Sequence, residues 1–147
     1  MNIQAPPSLL SLARTTAETH GLAPSIVCAI IEQESGWNTW AVRFEPEFER
    51  RYIHPAHPTA PSTEELCLAM SWGLMQVMGK TAREHGFSEH FLNALCDPQV
   101  GLSVGCAVFA AKFTKAGGEL ERALLLWNGG MNVDYPGEVI ARIPHYI

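Results

Sequence analysis

A chain of 147 residues has the length of one ordinary domain and can bury a sizeable hydrophobic core. Apolar residues make up 47% of it and charged residues 17%, a balance that excludes a disordered chain. The formal net charge of −5 argues against bulk electrostatic binding of nucleic acid, which needs positive side chains opposite the phosphates. We therefore expect one globular, monomeric domain over residues 1–147 without a nucleic-acid partner.

Residues 1–20 hold only short apolar runs around Arg14, so they do not have the pattern of a signal peptide. No apolar run approaches the roughly 18 residues that a membrane span requires. These features favour a soluble protein that is made in the cytoplasm and has no membrane-spanning segment. The four cysteines include no C-x-x-C pair, and the missing signal peptide favours reduced, structural thiols. A disulfide stays open for a protein that reaches an oxidising compartment.

Helix start and stop signals recur along the chain. Residues 8–20 are predicted as a first helix that stops at Gly21. A second helix begins at Pro24, which suits a first helical turn, and stops at Gly36. Further helices are predicted at residues 62–70, 80–85, 88–95, 97–115, 119–127 and 136–144. Ser62 and Glu65 have the spacing of a capping box, Ser88 is the expected cap of its helix, and Pro144 is expected to stop the last one. No convincing period-two strand appears, so the fold class is all-α, with about seven to eight helices and irregular loops between them.

The helix at 97–115 has the clearest start signal. Asp97 is a favoured N-cap residue, and Pro98 is favoured at the first helical position. Gly101, Gly105 and Ala110 then leave room for another element to approach closely. We therefore expect this helix to lie at the centre of the domain.

The second helix carries a carboxylate at the end of an apolar stripe. Val27, Ile30, Ile31 and Glu34 fall at i, i+3, i+4 and i+7, which is one helical face. Burial removes hydration from a carboxylate and raises its pKa, which suits a general acid working near neutral pH. Glu32 lies roughly 200° round the helix and is expected to face solvent. The alternative is that Glu34 only marks the frayed helix end, where charges are common.

Three short stretches, taken in order, resemble motifs of the soluble lytic transglycosylase family, whose relatives include goose-type lysozyme. Residues 34–38 (ESGWN) are similar to that family's E-S-x-x-N, and residues 73–77 (GLMQV) are similar to its G-L-M-Q-[IV]. Residues 126–130 (LWNGG) resemble A-Y-N-A-G, with tryptophan in place of tyrosine. Tyr135 resembles the tyrosine that follows in the family. The resemblance covers about residues 20–140 and implies a lysozyme-like domain.

The resemblance implies cleavage of the β-1,4 bond between N-acetylmuramic acid and N-acetylglucosamine in the glycan strands of peptidoglycan. Glu34 would protonate the glycosidic oxygen as general acid. It would then act as base on the C6 hydroxyl of the muramic acid, giving a 1,6-anhydro end without water. This use of one glutamate, without a cofactor, differs from the two-carboxylate scheme of most glycosidases.

The same resemblance assigns substrate contacts to residues around the motifs. They are Ser35, Met75, Gln76, Trp127, Asn128 and Tyr135. Ser35 and Gln76 have the hydrogen-bonding groups to contact an acetamido group, or they are a cap and a buried amide satisfied by backbone. Asn128 is alternatively an ordinary helix cap, and Tyr135 either a core residue or a partner that holds Glu34. Tryptophans 37, 40, 72 and 127 offer flat faces for sugar rings, and we expect at least two of them to be core residues.

The spacing departs from the family. Residues 34 and 73 are nearly twice as far apart as the first two motifs usually are, which predicts a long irregular loop over roughly residues 43–68. Glu45 in this loop is a possible second carboxylate that positions a water and makes the enzyme a hydrolase of the muramidase type. Its alternative is a solvated loop in which arginines pair with the acids. His54 and His57 form H-x-x-H without further zinc ligands nearby, so we expect no metal.

A third function stays open: a lysozyme-like module that binds glycan without cleaving it. The acid on an apolar stripe favours catalysis over this reading, because burying a carboxyl group is costly unless it serves a purpose. A protein without its own export signal that cleaves the cell wall fits a phage endolysin, a virion component or an enzyme of a secretion apparatus. In each setting the enzyme acts on the wall after release.

Overall fold

The computed structural model describes residues 4–56 and 62–147. The first part contains α1 (Pro7–Thr19), α2 (Pro24–Ser35), the strand β1 (Val42–Phe44), the one-turn helix α3 (Pro46–Phe48), a π-helical turn (Glu49–Ile53) and a 3₁₀ turn (His54–Ala56). The second part begins with α4 (Thr63–Leu68), β2 (Met70–Trp72), β3 (Val77–Met78) and α5 (Gly79–Glu84). It continues with a 3₁₀ turn (Leu92–Cys96), α6 (Pro98–Lys115), α7 (Leu120–Asn128), α8 (Tyr135–Ile140) and a 3₁₀ turn (Ile143–Tyr146). The all-α, lysozyme-like fold class is confirmed.

Helix α2 lies inside the core. Five consecutive residues, Val27 to Ile31, are fully buried, so the helix is covered well beyond the single apolar stripe that its spacing predicts. Pro24 stands at its first turn, and Gly36 ends it in the left-handed conformation at φ 57° with its N–H bonded to the Glu32 carbonyl. Because both ends are fixed by local signals, the position of Glu34 in the last turn follows from the sequence.

Helix α6 is the second central element, as predicted. The Asp97 side chain accepts hydrogen bonds from the backbone N–H groups of Gln99 and Val100. A Cβ atom at Gly101 would lie 2.3 Å from the Leu95 carbonyl oxygen, and one at Gly105 would lie 2.5 Å from the Met75 sulfur. Gly101 therefore lets the 3₁₀ turn pack directly against this helix, and Gly105 does the same for the second motif.

A small antiparallel sheet, in the order β1-β2-β3, accompanies the helices and was not predicted. Val42 pairs with Trp72, and Phe44 pairs with Met70; on the other side Ser71 pairs with Met78. Strands of two or three residues are too short to show an alternating pattern in the sequence. The sheet brings the start of the long connection next to the second motif.

Two predicted helices differ in extent from the observed elements. Residues 88–95 do not form a helix capped by Ser88; only the 3₁₀ turn Leu92–Cys96 is present there. Pro144 does not end the last helix, because α8 stops at Ile140 and Pro144 lies inside the following 3₁₀ turn. The capping box at Ser62 is confirmed, since Ser62 and Glu65 exchange side-chain to backbone hydrogen bonds.

All four cysteines are free thiols, and three of them are buried. Burial raises the pKa of Cys28 to about 11 and that of Cys106 to about 12, which suppresses the reactive thiolate. Within residues 4–56 and 62–147, the structure contains no helix with the length and apolarity needed to cross a bilayer.

The close approach at Gly101 gives a stability prediction. Gly101→Ala places a methyl group against a backbone carbonyl, which cannot move aside like a side chain. We expect the free energy of unfolding, measured by urea denaturation, to fall by about 1–3 kcal/mol. The control is Gly137→Ala in α8, where an added Cβ meets no heavy atom within 4 Å. That variant should match the wild type or gain up to about 1 kcal/mol from helix propensity. Equal stability of the two variants would contradict the packing described for α6.

Candidate active site

The Glu34 carboxyl group is held by two donors from the C-terminal part of the chain. Its Oε1 accepts a hydrogen bond from the Tyr135 hydroxyl at 2.5 Å and another from Trp127 Nε1 at 3.1 Å. Oε2 accepts none from any residue in the described ranges, and the side chain is only partly covered. One oxygen is thus fixed by the protein, and the other is left for a proton and a ligand.

The two donors are positioned by neighbouring helices. Trp127 lies in the last turn of α7 and packs edge-on against Phe109 of α6, with ring centroids 5.6 Å apart. Tyr135 is buried at the start of α8. Both rings therefore come from rigid elements, so the Glu34 rotamer is set by the core. The sequence left two roles open for Tyr135, and the structure shows the hydrogen bond to Glu34.

The electrostatic surroundings of Glu34 favour its protonated form. Burial raises the pKa of its carboxyl group, while the hydrogen bonds from Tyr135 and Trp127 lower it. The nearby charge of Arg43 also lowers the pKa, and that of Glu45 raises it. Burial outweighs the lowering effects, so the pKa lies above its ordinary value, as the apolar stripe predicts. The group therefore keeps its proton to a higher pH than an ordinary glutamate, which suits a role in proton transfer.

Glu32 does not face solvent, and that expectation is wrong. Its side chain is only 10% exposed because the C-terminal residues cover it. The Tyr146 hydroxyl donates to its Oε2 at 2.6 Å, His145 Nδ1 lies 3.1 Å from the same oxygen, and Arg142 Nε lies 3.7 Å from Oε1. Burial would raise the pKa of Glu32, but these hydrogen bonds and the His145 and Arg142 charges lower it below its ordinary value.

Gln33, which the sequence did not single out, is a third anchor in the same turn. Its Nε2 donates to Glu138 Oε2 of α8 at 2.9 Å. Glu32 thus bonds to the C-terminal 3₁₀ turn, Gln33 bonds to α8, and Glu34 bonds to both α7 and α8. No sequence signal marks Gln33 or Glu138, because their pairing joins positions 105 residues apart.

The second motif forms a tight turn that is braced against α2. The Ser35 hydroxyl donates to the Leu74 carbonyl at 2.8 Å. Gln76 adopts the left-handed conformation at φ 51°, and its amide nitrogen donates to the Ala41 and Gly73 carbonyls at 2.9 Å each. Its amide oxygen accepts from the Ser71 hydroxyl at 2.8 Å. The Gln76 side chain is therefore engaged within the protein, which is the structural alternative for this residue; its contact with substrate stays a prediction.

Two other predicted substrate contacts differ in accessibility. Met75 is buried against α6, so a direct contact with substrate stays a prediction that this packing does not favour. Asn128 is the last residue of α7, where Gly129 serves as the cap, and its Oδ1 accepts the Asn132 backbone N–H at 2.7 Å. The Asn128 amide nitrogen has no hydrogen-bond partner in the described ranges, so it is available to a ligand.

Strand β1 carries the long connection past Glu34. Arg43 Nε donates to Glu45 Oε1 at 2.6 Å, and the Glu45 backbone N–H bonds to the Ala69 carbonyl. Both side chains act on the pKa of Glu34, so they lie within electrostatic range of it. Glu45 is thus an ion-paired residue, as a charged loop predicts, and also a second carboxylate near the first.

The four tryptophans divide as expected. Trp37 and Trp72 are buried core residues, Trp127 is partly covered, and Trp40 is exposed. No cluster of three or more His, Cys, Asp or Glu side chains suited to a metal ion occurs in the described ranges. His57, one half of the H-x-x-H pair, lies outside those ranges.

Comparison with models of known protein families gives a match. The family model described as Transglycosylase SLT domain matches residues 11–134, which is most of the chain. The match includes all three motifs and ends one residue before Tyr135. No solved structure matches the chain.

The two glutamates of the last α2 turn give opposite predictions for stability. Because folding raises the pKa of Glu34, the folded state binds its proton more tightly, and stability falls as pH rises from the unfolded pKa upward. Glu34→Gln should therefore be more stable than the wild type at pH 7, and this gain should vanish in acid. Folding lowers the pKa of Glu32, so Glu32→Gln should be less stable at pH 7, and its deficit should narrow as pH falls.

Urea denaturation of the three proteins between pH 3 and pH 8 measures these differences. Each variant is the other's control, because both replace a carboxyl by an amide on the same helical turn. A Glu34→Gln protein that is less stable than the wild type at pH 7 would contradict the environment described for Glu34.

Proposed function

The chain belongs to the transglycosylase SLT domain family, and on that basis we propose that it cleaves the β-1,4 bond between N-acetylmuramic acid and N-acetylglucosamine with Glu34 as the proton-transfer group. Membership supports peptidoglycan lytic transglycosylase activity in general, and it confirms the resemblance of the three motifs. The observation that carries the finer proposal is the Glu34 carboxyl group, with one oxygen fixed by Tyr135 and Trp127 and the other free.

In the first proposed step, protonated Glu34 donates its proton from Oε2 to the glycosidic oxygen. The bond between this oxygen and C1 of the muramic acid breaks, and the N-acetylglucosamine leaves with a new hydroxyl. Positive charge develops at C1 and its ring oxygen. The Glu34 carboxylate that remains is stabilised by its two hydrogen-bond donors. These hydrogen bonds offset part of the free-energy cost of forming a charge in a buried position.

In the second proposed step, the Glu34 carboxylate takes the proton of the C6 hydroxyl of the same muramic acid. The C6 oxygen attacks C1 and closes the 1,6-anhydro ring, and Glu34 is again protonated. No water is consumed, so the products together have the mass of the substrate. One carboxyl group thus serves as acid and then as base, which requires a pKa near the working pH.

Two further contacts support binding at this site. The free Asn128 amide nitrogen is a donor suited to an acetamido carbonyl. The partly covered ring of Trp127 offers a face to a sugar while its Nε1 holds Glu34. Gln76 and Ser35 act in this proposal through the turn of the second motif, which they brace. We propose that the enzyme acts on the cell wall, where its substrate lies.

A second candidate function is hydrolysis of the same bond by a muramidase mechanism. The observation that favours it is Glu45, a carboxylate at the end of β1 whose charge reaches Glu34. A water held by Glu45 would attack C1 in place of the C6 hydroxyl. Against this role, Glu45 Oε1 is already occupied by Arg43. We therefore rank this mechanism second.

The mass of the products tests the reaction. Incubation with purified peptidoglycan should release muropeptides with 1,6-anhydro ends, detected by mass spectrometry as ends lacking one water. Glu34→Gln should lower the rate by about 10²–10⁴-fold, the usual contribution of general acid–base catalysis. Because this variant is expected to be the more stable one at pH 7, its loss of activity will not arise from unfolding. Ends heavier by one water, without anhydro ends, would refute the transglycosylase reaction.

The role of Glu45 is tested separately with Glu45→Gln. We expect anhydro products and a rate within about threefold of the wild type, because an exposed ion pair contributes little on its own. The matched control is Glu47→Gln, which removes another ion-paired acid of this segment. A large loss of rate in Glu45→Gln alone, together with water-containing products from the wild type, would establish the muramidase mechanism instead.

A further inference from the structure

Residues 129–134 form a loop whose two ends adjoin the donors that hold Glu34. The loop leaves α7 two residues after Trp127 and enters α8 at Tyr135. Its Met131 and Val133 side chains are 78% and 79% exposed. Val133 is two residues from Tyr135, so their Cα atoms are at most about 7 Å apart. Two large apolar side chains are therefore exposed on the loop that joins the two donors of Glu34.

The loop has internal bonds that fix this arrangement. The Asn132 backbone N–H donates to Asn128, and its side-chain oxygen accepts the Asp134 backbone N–H at 3.0 Å. Its amide nitrogen donates to Glu138 at 3.4 Å. The inward Asn132 therefore separates the two outward apolar residues. Two exposed apolar side chains in one short loop between the donors of Glu34 are available to contact a ligand bound at that site.

The shape of these side chains indicates which chemical group of the substrate they suit. Sugar rings are best matched by flat aromatic faces, whereas methionine is a flexible thioether and valine a compact branched group. Both suit methyl groups. On a peptidoglycan strand, the muramic acid alone carries a lactyl ether with a methyl group. That lactyl group leads to the stem peptide, whose first residue is ordinarily alanine.

We propose that Met131 and Val133 form an apolar lip that contacts the lactyl group and the first stem-peptide residue of the muramic acid bound at Glu34. The inference rests on the proposed function, because Glu34 is placed there at C1 and C6 of this sugar. The lip makes the enzyme selective for strands that carry stem peptides over strands from which an amidase has removed them.

Two measurements test the lip. The first compares kcat and KM on strands with stem peptides and on strands stripped by an amidase. The wild type should favour the peptide-bearing strands by about tenfold, mainly through KM, as expected for a few methyl contacts. The double variant Met131→Ser, Val133→Thr should lose most of this preference while keeping its kcat on stripped strands.

The second measurement is binding of both strands to Glu34→Gln by calorimetry, with and without the lip substitutions. It keeps the lip testable whether or not the wild type cleaves. If the wild type cleaves neither kind of strand, the proposed function is refuted. The lip is tested separately by whether Glu34→Gln binds peptide-bearing strands more tightly than stripped strands. The control is Phe91→Ser; Phe91 is also exposed, at 66%, but lines a separate cavity of about 710 Å³ with Cys67 and Trp72.

Three outcomes overturn the proposal. The protein with the unchanged lip shows no preference for peptide-bearing strands, the double variant keeps the full preference, or Phe91→Ser loses as much of the preference as the double variant does.

Discussion

The paired hydrogen bonds on Glu34 Oε1 are the contact on which the candidate site depends. A carboxyl group on a buried helix face is costly unless it is hydrogen-bonded, and Tyr135 and Trp127 supply those bonds from two different helices. Neither donor is charged. Their hydrogen bonds stabilise the carboxylate and lower the pKa, while burial outweighs them and keeps the pKa above its ordinary value.

This contact ties the first third of the chain to its last fifth. Residues 32–34 bond to partners 93 to 114 positions away, all within the segment from Trp127 to Tyr146. Tyr146 extends the link, because its hydroxyl donates to Glu32 and accepts the Trp37 indole N–H at 2.9 Å. The end of α2 is thereby fixed from three directions. A catalytic group needs such fixing, since small displacements from the productive geometry cost large factors in rate.

Local chemistry explains which features the sequence predicted. Pro24, Gly36, the Asp97–Pro98 pair and the capping box at Ser62 act within one turn of the chain, so each boundary followed from neighbouring residues. The apolar stripe located Glu34 for the same reason. The short strands, the interior partners of Glu32 and the pairing of Gln33 depend on segments far away in sequence, and no local pattern encodes them. Gln76 is intermediate: its polarity was conspicuous, but only the fold shows which carbonyl groups it serves.

The contrast between Glu32 and Glu34 shows how burial and hydrogen-bond partners together select a proton-transfer group. Both lie on the same helical turn, but burial outweighs the effects that lower the pKa only at Glu34. At Glu32 the hydrogen bonds with Tyr146 and His145, together with the His145 and Arg142 charges, hold the pKa down. A carboxylate fixed in this way cannot donate a proton near neutral pH. Glu34 has neutral donors on one oxygen, and its other oxygen has no hydrogen-bond partner within residues 4–56 and 62–147, so its proton remains exchangeable. Burial and the partners together therefore separate a structural acid from a chemical one.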